Sequence, residues 1–129
     1  MKVIIAGSRG ISNSAALLVA IDGSGFEITE VVSGGAQGVD AMGEGWALRR
    51  CPVTIFKAAW SWLEAPGAII KTRPDGISYN VKAGIDRNSR MTEYADALIA
   101  VWDGHSRGTK NMIEVMKTMG KPVYIHRTY

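Results

Sequence analysis

The chain has 129 residues, of which 47% are hydrophobic and 21% charged, and its formal net charge is +3. This length supports one hydrophobic core and excludes two, and no apolar run approaches the roughly 18 residues that span a bilayer. The small positive charge favours anionic ligands but excludes the concentrated basic stripe of a dedicated duplex-DNA binder. Cys51 is the only cysteine, which rules out an intramolecular disulfide and fits a cytoplasmic protein without a membrane partner.

Short apolar strands alternate with amphipathic helices along the chain. The pattern predicts strands at residues 3–6, 28–33, 53–56, 97–102 and 123–126, and helices at residues 13–21, 39–50 and 108–119. In the first helix Ser12 or Asn13 is the expected cap, and the side chains expected to face inward are Leu17, Leu18 and Ile21. The alternation predicts a single α/β domain, a Rossmann-like three-layer sandwich with a mainly parallel five-stranded sheet.

A glycine-rich turn joins the second strand to the second helix. It leaves backbone N–H groups unpaired at the positive end of a helix dipole, which suits a phosphate. Glycines at positions 34, 35 and 38 let the backbone adopt positive φ and let a ligand approach closely. Asp40 lies in the first turn of the helix, and two roles for it stay open. Its carboxylate would accept hydrogen bonds from the glycine loop, or it would accept a hydrogen bond from a ribose hydroxyl.

Two further loops of similar character follow the first strand and the strand at residues 97–102. Gly7, Ser8 and Arg9 could hold and clamp a phosphate, although they form neither a dinucleotide fingerprint nor a Walker loop. Ser106, Gly108 and Thr109 open another helix, while Asp103 could bind a hydroxyl or orient Arg107. All three loops leave the carboxyl ends of strands, so we expect them to share one edge of the sheet.

A fourth group of polar residues begins a helix within residues 84–91. Arg87 and Arg90 are three positions apart, which puts them on one helical face as a fork for phosphate or carboxylate, with Asn88 between them. No His, Cys, Asp or Glu cluster has the spacing of a metal site, so we expect no metal.

The least regular part of the chain is predicted at residues 57–79, which contain two turn signals. Trp60 and Trp62 flank Ser61 and cannot face the same way on a strand or a helix. Two interpretations stay open: an excursion over the ligand edge, as a lid or an oligomer contact, or a surface loop with one tryptophan in the core. The tryptophans also predict self-association as a homo-oligomer.

Together these motifs resemble the SLOG superfamily and, within it, the YspA-type family. They occur in the family's order, as Gly-Ser-Arg at 7–9, Gly-Gly-Ala-Gln-Gly-Val-Asp at 34–40, Ala-Gly-Ile-Asp-Arg-Asn-Ser-Arg-Met at 83–91 and Ser-Arg-Gly-Thr at 106–109. The resemblance implies a Rossmann-like fold and a nucleotide-derived ligand. The chain departs from the family at about residues 63–78, a link that is longer than usual.

Two related families suggest different activities. The LOG-type phosphoribohydrolases carry Pro-Gly-Gly-x-Gly-Thr-x-x-Glu, with a catalytic glutamate, but Met112 stands at that offset here. Glu114 follows two positions later, about 200° further round the helix. The DNA-processing protein A family, which binds single-stranded DNA, is similar at residues 33–40 and 87–90.

The leading hypothesis is a binding module for a nucleotide or an ADP-ribose-like ligand, acting as a sensor or sequestering protein, with no other cofactor. The predicted ligand-binding residues are Gly7, Ser8, Arg9, Ser33, Gly34, Gly35, Ala36, Gly38, Asp40, Arg87, Asn88, Arg90, Asp103, Ser106, Arg107, Gly108 and Thr109. One alternative is a nucleotide N-glycosidic hydrolase that uses Glu93, Asp103 or Glu114. The other is single-stranded DNA binding through Lys57, Trp60, Trp62, Lys71 and Arg73.

Overall fold

The computed structural model describes residues 1–129, as seven strands and four helices. In chain order these are β1 (Lys2–Gly7), α1 (Ser14–Ser24), β2 (Glu30–Ser33), α2 (Val39–Ala47), β3 (Val53–Ile55), β4 (Ile70–Thr72), β5 (Ser78–Asn80), α3 (Lys82–Tyr94), β6 (Ala97–Trp102), α4 (Arg107–Thr118) and β7 (Val123–Arg127).

Five of the strands form one sheet in the order β3-β2-β1-β6-β7, and every neighbouring pair is parallel. Val3, at the centre, is in register with Val31 on one side and with Ala97 on the other. The chain builds outward from β1 to β3 and then returns to β6, so the strand order reverses between β1 and β6. The predicted Rossmann-like α/β fold is confirmed, with a sheet that is parallel throughout.

Helices cover both faces of this sheet because alternate strand residues point to opposite sides. Val3 and Ile5 belong to the core shared with α1 and α2, whereas Ile4 and Ala6 belong to the core shared with α3 and α4. The interior of β1, from Val3 to Ala6, and all of β6 are therefore apolar, as buried parallel strands are.

Two details of the predicted helices differ. Leu17 is buried but Leu18 is 53% exposed, because Leu17 and Ala20 already occupy the inward face and position 18 is rotated about 100° away from it. The second helix ends at Ala47, not at residue 50, because Leu48 adopts an extended conformation and Arg49 a positive φ of 67°. Of the two expected caps for α1, Asn13 is the one that accepts a hydrogen bond, from the Ala15 N–H.

Residues 57–79 are more regular than their composition predicts. β4 and β5 pair as an antiparallel hairpin, separate from the main sheet, and the turn between them is the predicted Arg-Pro-Asp-Gly signal at 73–76. The turn closes because Asp75 accepts the Ile77 N–H and pairs with the Arg73 guanidinium. A short turn with Pro and Gly was a hairpin signal that the prediction of an irregular segment missed.

The hairpin segment leaves several large apolar side chains in solvent. Trp62 and Ile77 are each 55% exposed, and Ile70 is 44% exposed. Self-association stays a prediction, and these side chains are the apolar surface on which it depends. No helix in the structure has the length and apolar character needed to cross a membrane.

Candidate functional site

A cavity of about 550 Å³ lies at the carboxyl ends of the central strands, where the strand order reverses. Ligands of open α/β sheets bind at this place. The structure brings all three predicted loops and the α3 motif to its wall. The predicted residues that line it are Gly7, Arg9, Gly34, Ala36, Asp40, Arg87, Asn88, Ser106, Gly108 and Thr109.

The loop after β1 is tied to both of the other loops. The Ser8 hydroxyl is buried and accepts the Asp103 N–H at 3.1 Å, which joins it to the loop after β6. Gly38 packs against the same loop from the other side: a β-carbon at this position would lie 2.5 Å from the Arg9 carbonyl oxygen and 2.7 Å from that of Ser8. Ser8 and Gly38 do not line the cavity, but they set the spacing of the loops that do.

Position 38 also requires glycine because of its backbone conformation. Its φ of 73° and ψ of −124° lie outside the regions open to residues with a β-carbon. Gly34 has a different reason, since a β-carbon there would lie 2.8 Å from Nη1 of Arg87. The glycines of this turn thus allow two close approaches, one by the neighbouring loop and one by an arginine.

Some loop amides are already bonded within the protein, and others are free. The Gly35 N–H donates to the Ser33 hydroxyl at 3.1 Å, and the Ala36 N–H donates to Asp40 at 3.4 Å. By contrast, the N–H groups of Gln37, Gly38 and Gly108 have no acceptor in the protein. Gly108 lies in the first turn of α4, where free amides and the helix dipole favour a bound anion.

Arg87 is the best-positioned cation of the cavity. Its Nη1 donates to the Gly34 carbonyl oxygen at 2.6 Å, its Nε donates to the Asn88 side chain at 3.0 Å, and its guanidinium carbon lies 5.9 Å from the Trp60 ring centroid. Burial lowers the pKa of this guanidinium, the nearby Asp40 carboxylate acts in the opposite direction, and the charge of Arg9 lowers the pKa further. This half-buried guanidinium is held by two neutral acceptors, and no carboxylate lies within ion-pair distance of it.

The cavity wall carries more positive than negative charge. Its ionisable groups include the guanidiniums of Arg9, Arg73 and Arg87 and the carboxylate of Asp40. Arg73 pairs with Asp75 in the only ion pair of the structure, so Arg9 and Arg87 have no carboxylate within ion-pair distance. The exposed Arg9 side chain has no hydrogen-bond partner either, which leaves it free for a ligand.

Asp40 combines a buried position with hydrogen bonds from the glycine loop. It is 6% exposed, and burial raises the pKa of its carboxyl, while the hydrogen bond from Ala36 and the charge of Arg87 act in the opposite direction. The first of the two predicted roles, acceptance of hydrogen bonds from the loop, describes what the side chain does in the folded protein.

The remaining predicted site residues do not line the cavity. Arg90 points elsewhere: its Nη2 donates to the Lys57 carbonyl oxygen at 3.1 Å beside a second cavity, so it forms no fork with Arg87. Asp103 accepts the N–H groups of His105 and Ser106, which lowers the pKa of its carboxyl. The others that lie off the wall are Ser8, Ser33, Gly35, Gly38 and Arg107.

The carboxylates that the hydrolase alternative requires lie away from the cavity. Glu93 and Glu114 are exposed on α3 and α4 and contribute nothing to its wall, and Asp103 is engaged in its own turn. Asp40 is the one carboxylate on the wall. No group of three or more His, Cys, Asp or Glu side chains is arranged to hold a metal ion.

A second part of the wall comes from residues 57–80, which agrees with one of the two open interpretations, an excursion over the ligand edge, although none of these residues was among the predicted ligand-binding residues. It consists of Trp60, Ser61, Arg73, Ile77, Ser78 and Tyr79. Asn80 anchors it: this side chain is 3% exposed, accepts the N–H groups of Ile69 and Lys82, and donates to the Trp62 carbonyl oxygen. The hairpin turn signal could have revealed the strands, but no sequence signal identified which of these residues line the cavity.

Comparison of the chain with family models, with curated proteins and with solved structures finds no match. The resemblance to the SLOG superfamily therefore stays a prediction. What the structure itself defines is the class: a Rossmann-like α/β protein with a positively charged cavity at the carboxyl edge of its sheet.

Proposed function

We propose that this cavity binds a nucleotide or a nucleotide-derived, ADP-ribose-like ligand, and that the protein acts as a sensor or a sequestering module. The observation that carries the proposal is the convergence of three strand-end loops on one cavity whose cations outnumber its single carboxylate. A volume of about 550 Å³ is in the usual range for small-molecule sites.

The ligand's phosphate rests on the loops in this proposal. The free Gly108 amide in the first turn of α4 donates to its oxygens, and Arg9 and Arg87 neutralise its charge. These donors are held in place before the ligand arrives, because Ser8 and Gly38 set the spacing between the loops. Pre-arranged donors reduce the ordering cost of binding.

Binding is favoured over the two alternatives by the position of particular side chains. For hydrolysis, Glu93, Asp103 and Glu114 are all absent from the cavity wall. For single-stranded DNA, a continuous stacking platform is expected, but Trp60 lines this cavity and Trp62 lines the second one.

The test measures binding of AMP, ADP-ribose and inorganic phosphate by calorimetry to the wild-type protein and to Arg87→Ala. We expect Arg87→Ala to weaken binding of the phosphate-containing ligands about 10- to 100-fold, the usual effect of losing a charge-assisted hydrogen bond. Arg90→Ala is the matched control, since it removes the same side chain one helical turn away and outside the cavity. It should bind like the wild type.

Arg87 also donates to the Gly34 carbonyl oxygen, so its loss could disturb the turn. Arg9→Ala resolves this, because the exposed Arg9 side chain has no partner in the protein and its removal leaves the fold intact. We expect weaker phosphate binding here too. Absence of binding by every probe, or wild-type affinity in both Arg9→Ala and Arg87→Ala, would overturn the proposal.

A further inference from the structure

The two parts of the cavity wall differ in chemistry. The part built by the strand-end loops carries the free Gly108 amide, Arg9 and Arg87, whereas the part built by residues 57–80 carries two aromatic rings, Trp60 and Tyr79. The rings lie 6.3 Å apart between centroids with an interplanar angle of 71°, so they meet edge to face. A ligand that fills the cavity touches a polar, cationic surface at one end and an aromatic surface at the other.

The indole of Trp60 is held in position on three sides. Its Cη2 atom packs over Gly84 of α3, where a β-carbon would lie 2.4 Å away, and its ring is next to Arg87 and Tyr79. Its backbone carbonyl oxygen accepts the Asn80 N–H at 2.7 Å. The residue still has 36% of its surface exposed and borders the cavity. An indole that is both fixed and partly open is suited to stacking against a planar ligand group.

Arg87 connects the two ends of the cavity. Its guanidinium donates to the glycine turn on one side and lies 5.9 Å from the Trp60 ring centroid on the other. The strand-end loops and the aromatic surface therefore meet at one guanidinium. A nucleoside phosphate matches this division of the wall, since it has an anionic phosphate at one end and a planar base at the other.

We infer that Trp60 and Tyr79 form the base-binding end of the site, so that its ligands are phosphates that carry an aromatic base and not sugar phosphates alone. This inference rests on the proposed function and makes it more specific. Stacking of a base on an aromatic side chain strengthens binding by about 5- to 100-fold. The contact does not depend on which base is present, since every base has a π-face.

The test is a cycle of two ligands and two proteins. AMP and ribose 5-phosphate share the phosphate and the sugar and differ in the base. We expect the wild type to bind AMP at least about tenfold more tightly than ribose 5-phosphate, and Trp60→Ala to lose this preference. Any loss of affinity common to both ligands reports displacement of Arg87, which Trp60 contacts, so the ratio isolates the base.

Trp62→Ala is the matched control, because Trp62 is two residues away, is 55% exposed and lines the second cavity. It should keep the wild-type preference. Tyr79→Leu provides a second variant should Trp60→Ala fold poorly, and it should reduce the preference in the same direction. Quenching of tryptophan fluorescence by AMP, absent in Trp60→Phe, would be an additional sign of the contact.

The failures of the two proposals can be told apart. Equal binding of AMP and ribose 5-phosphate by the wild type would overturn the base-binding end and leave the phosphate site standing. An AMP preference that survives in both Trp60→Ala and Tyr79→Leu would also overturn it. If the wild type binds neither ligand, the proposed function fails, and the base-binding end fails with it.

Discussion

The cavity has a loop wall, built by the loops after β1, β2 and β6, and a hairpin wall, built by residues 57–80. The two walls are supported in different ways. The loop wall grows from the ends of β1, β2 and β6, whose central residues, such as Ile4, Val32 and Ile99, are fully buried. The hairpin wall has no such support: β4 and β5 pair only with each other, and residues 69–77 are exposed. A two-stranded hairpin is marginal by itself, so its position depends on what attaches it to the rest of the molecule.

Attachment to α3 comes from the Trp60 indole, which packs over Gly84, and from the Lys57 carbonyl oxygen, which accepts a hydrogen bond from Arg90. The segment itself is held together by Asn80. Its buried side chain makes three hydrogen bonds across the base of residues 57–80, and its backbone N–H donates to Trp60. The comparison indicates a division of roles, in which the phosphate donors are fixed by the core while the aromatic surface is held by a local polar cluster. The loop wall should therefore be lost only with the fold, whereas the hairpin wall should open independently of it.

The largest effect is expected from Gly38→Ala, which breaks the loop wall. Alanine disfavours the Gly38 φ of 73° and ψ of −124°, and its β-carbon would lie 2.5 Å from the Arg9 carbonyl oxygen, a backbone atom that cannot move alone. We expect a loss of about 3 kcal/mol or more in the free energy of unfolding, measured by urea denaturation, together with weaker phosphate binding.

Gly45→Ala is the matched control in the same helix. Gly45 is exposed within α2 and nothing lies within 4 Å of the added β-carbon, so alanine should stabilise the protein by about 0.5–1 kcal/mol. A Gly38→Ala protein as stable as the wild type would show that the two loops are not held together as described.

Asn80→Ala should separate the two walls. It leaves the N–H groups of Ile69 and Lys82 without their acceptor, which should lower the free energy of unfolding by about 2 kcal/mol. Hydrogen exchange should accelerate in residues 57–80 and remain slow in the main sheet. The AMP preference should fall, while ribose 5-phosphate binding changes little.

A global loss of stability would not produce this pattern, and Asn13→Ala tests that difference. This substitution removes the asparagine that caps α1 and should lower the free energy of unfolding by about 1 kcal/mol. Hydrogen exchange in residues 57–80 should stay unchanged relative to the main sheet. Uniform acceleration of exchange in Asn80→Ala would argue against a separately held hairpin wall.

The residues of the loop wall could be predicted from the sequence, whereas for residues 57–79 a position over the ligand edge was only one of two open interpretations. Apolar strands such as residues 97–102 place their carboxyl ends at one edge of a parallel sheet, so the loops that follow them must meet there. Local signals of this kind correctly predicted that Arg9, Asp40 and Gly108 lie together, and all three line the cavity.

No comparable rule governs the position of an insertion. The turn at residues 73–76 signals a hairpin, but its docking depends on contacts with α3, such as that of Trp60 with Gly84. Helical spacing alone also predicted that Arg90 lies beside Arg87. In the structure the Arg90 guanidinium donates to the Lys57 carbonyl oxygen and lines the second cavity. These contacts are tertiary, and a single sequence does not encode them in any local pattern.

The smallest effect is expected from Asp40→Asn, which changes the charge of the loop wall and little of its shape. Because burial raises the pKa of Asp40, the folded protein binds this proton more tightly than the unfolded chain does. Its contribution to stability is therefore most favourable below the ordinary aspartate pKa of about 4, and it declines as the pH rises from there through the raised folded value. The substituted amide stays neutral at every pH, so the stability of the variant relative to the wild type should increase over that window and then level off.

The difference between the two proteins is the quantity to measure, by urea denaturation at a series of pH values. Asp75 and Asp103 have lowered pKa values and make both proteins less stable in acid, which would hide the opposite trend of Asp40 in the wild type alone. A relative stability that falls with rising pH would mean that Asp40 is stabilised as a carboxylate by Arg87. In that case Asp40→Asn should bind phosphate more weakly than the wild type. If burial dominates, the variant should bind phosphate equally well or more tightly, because the only carboxylate on the cavity wall has been removed.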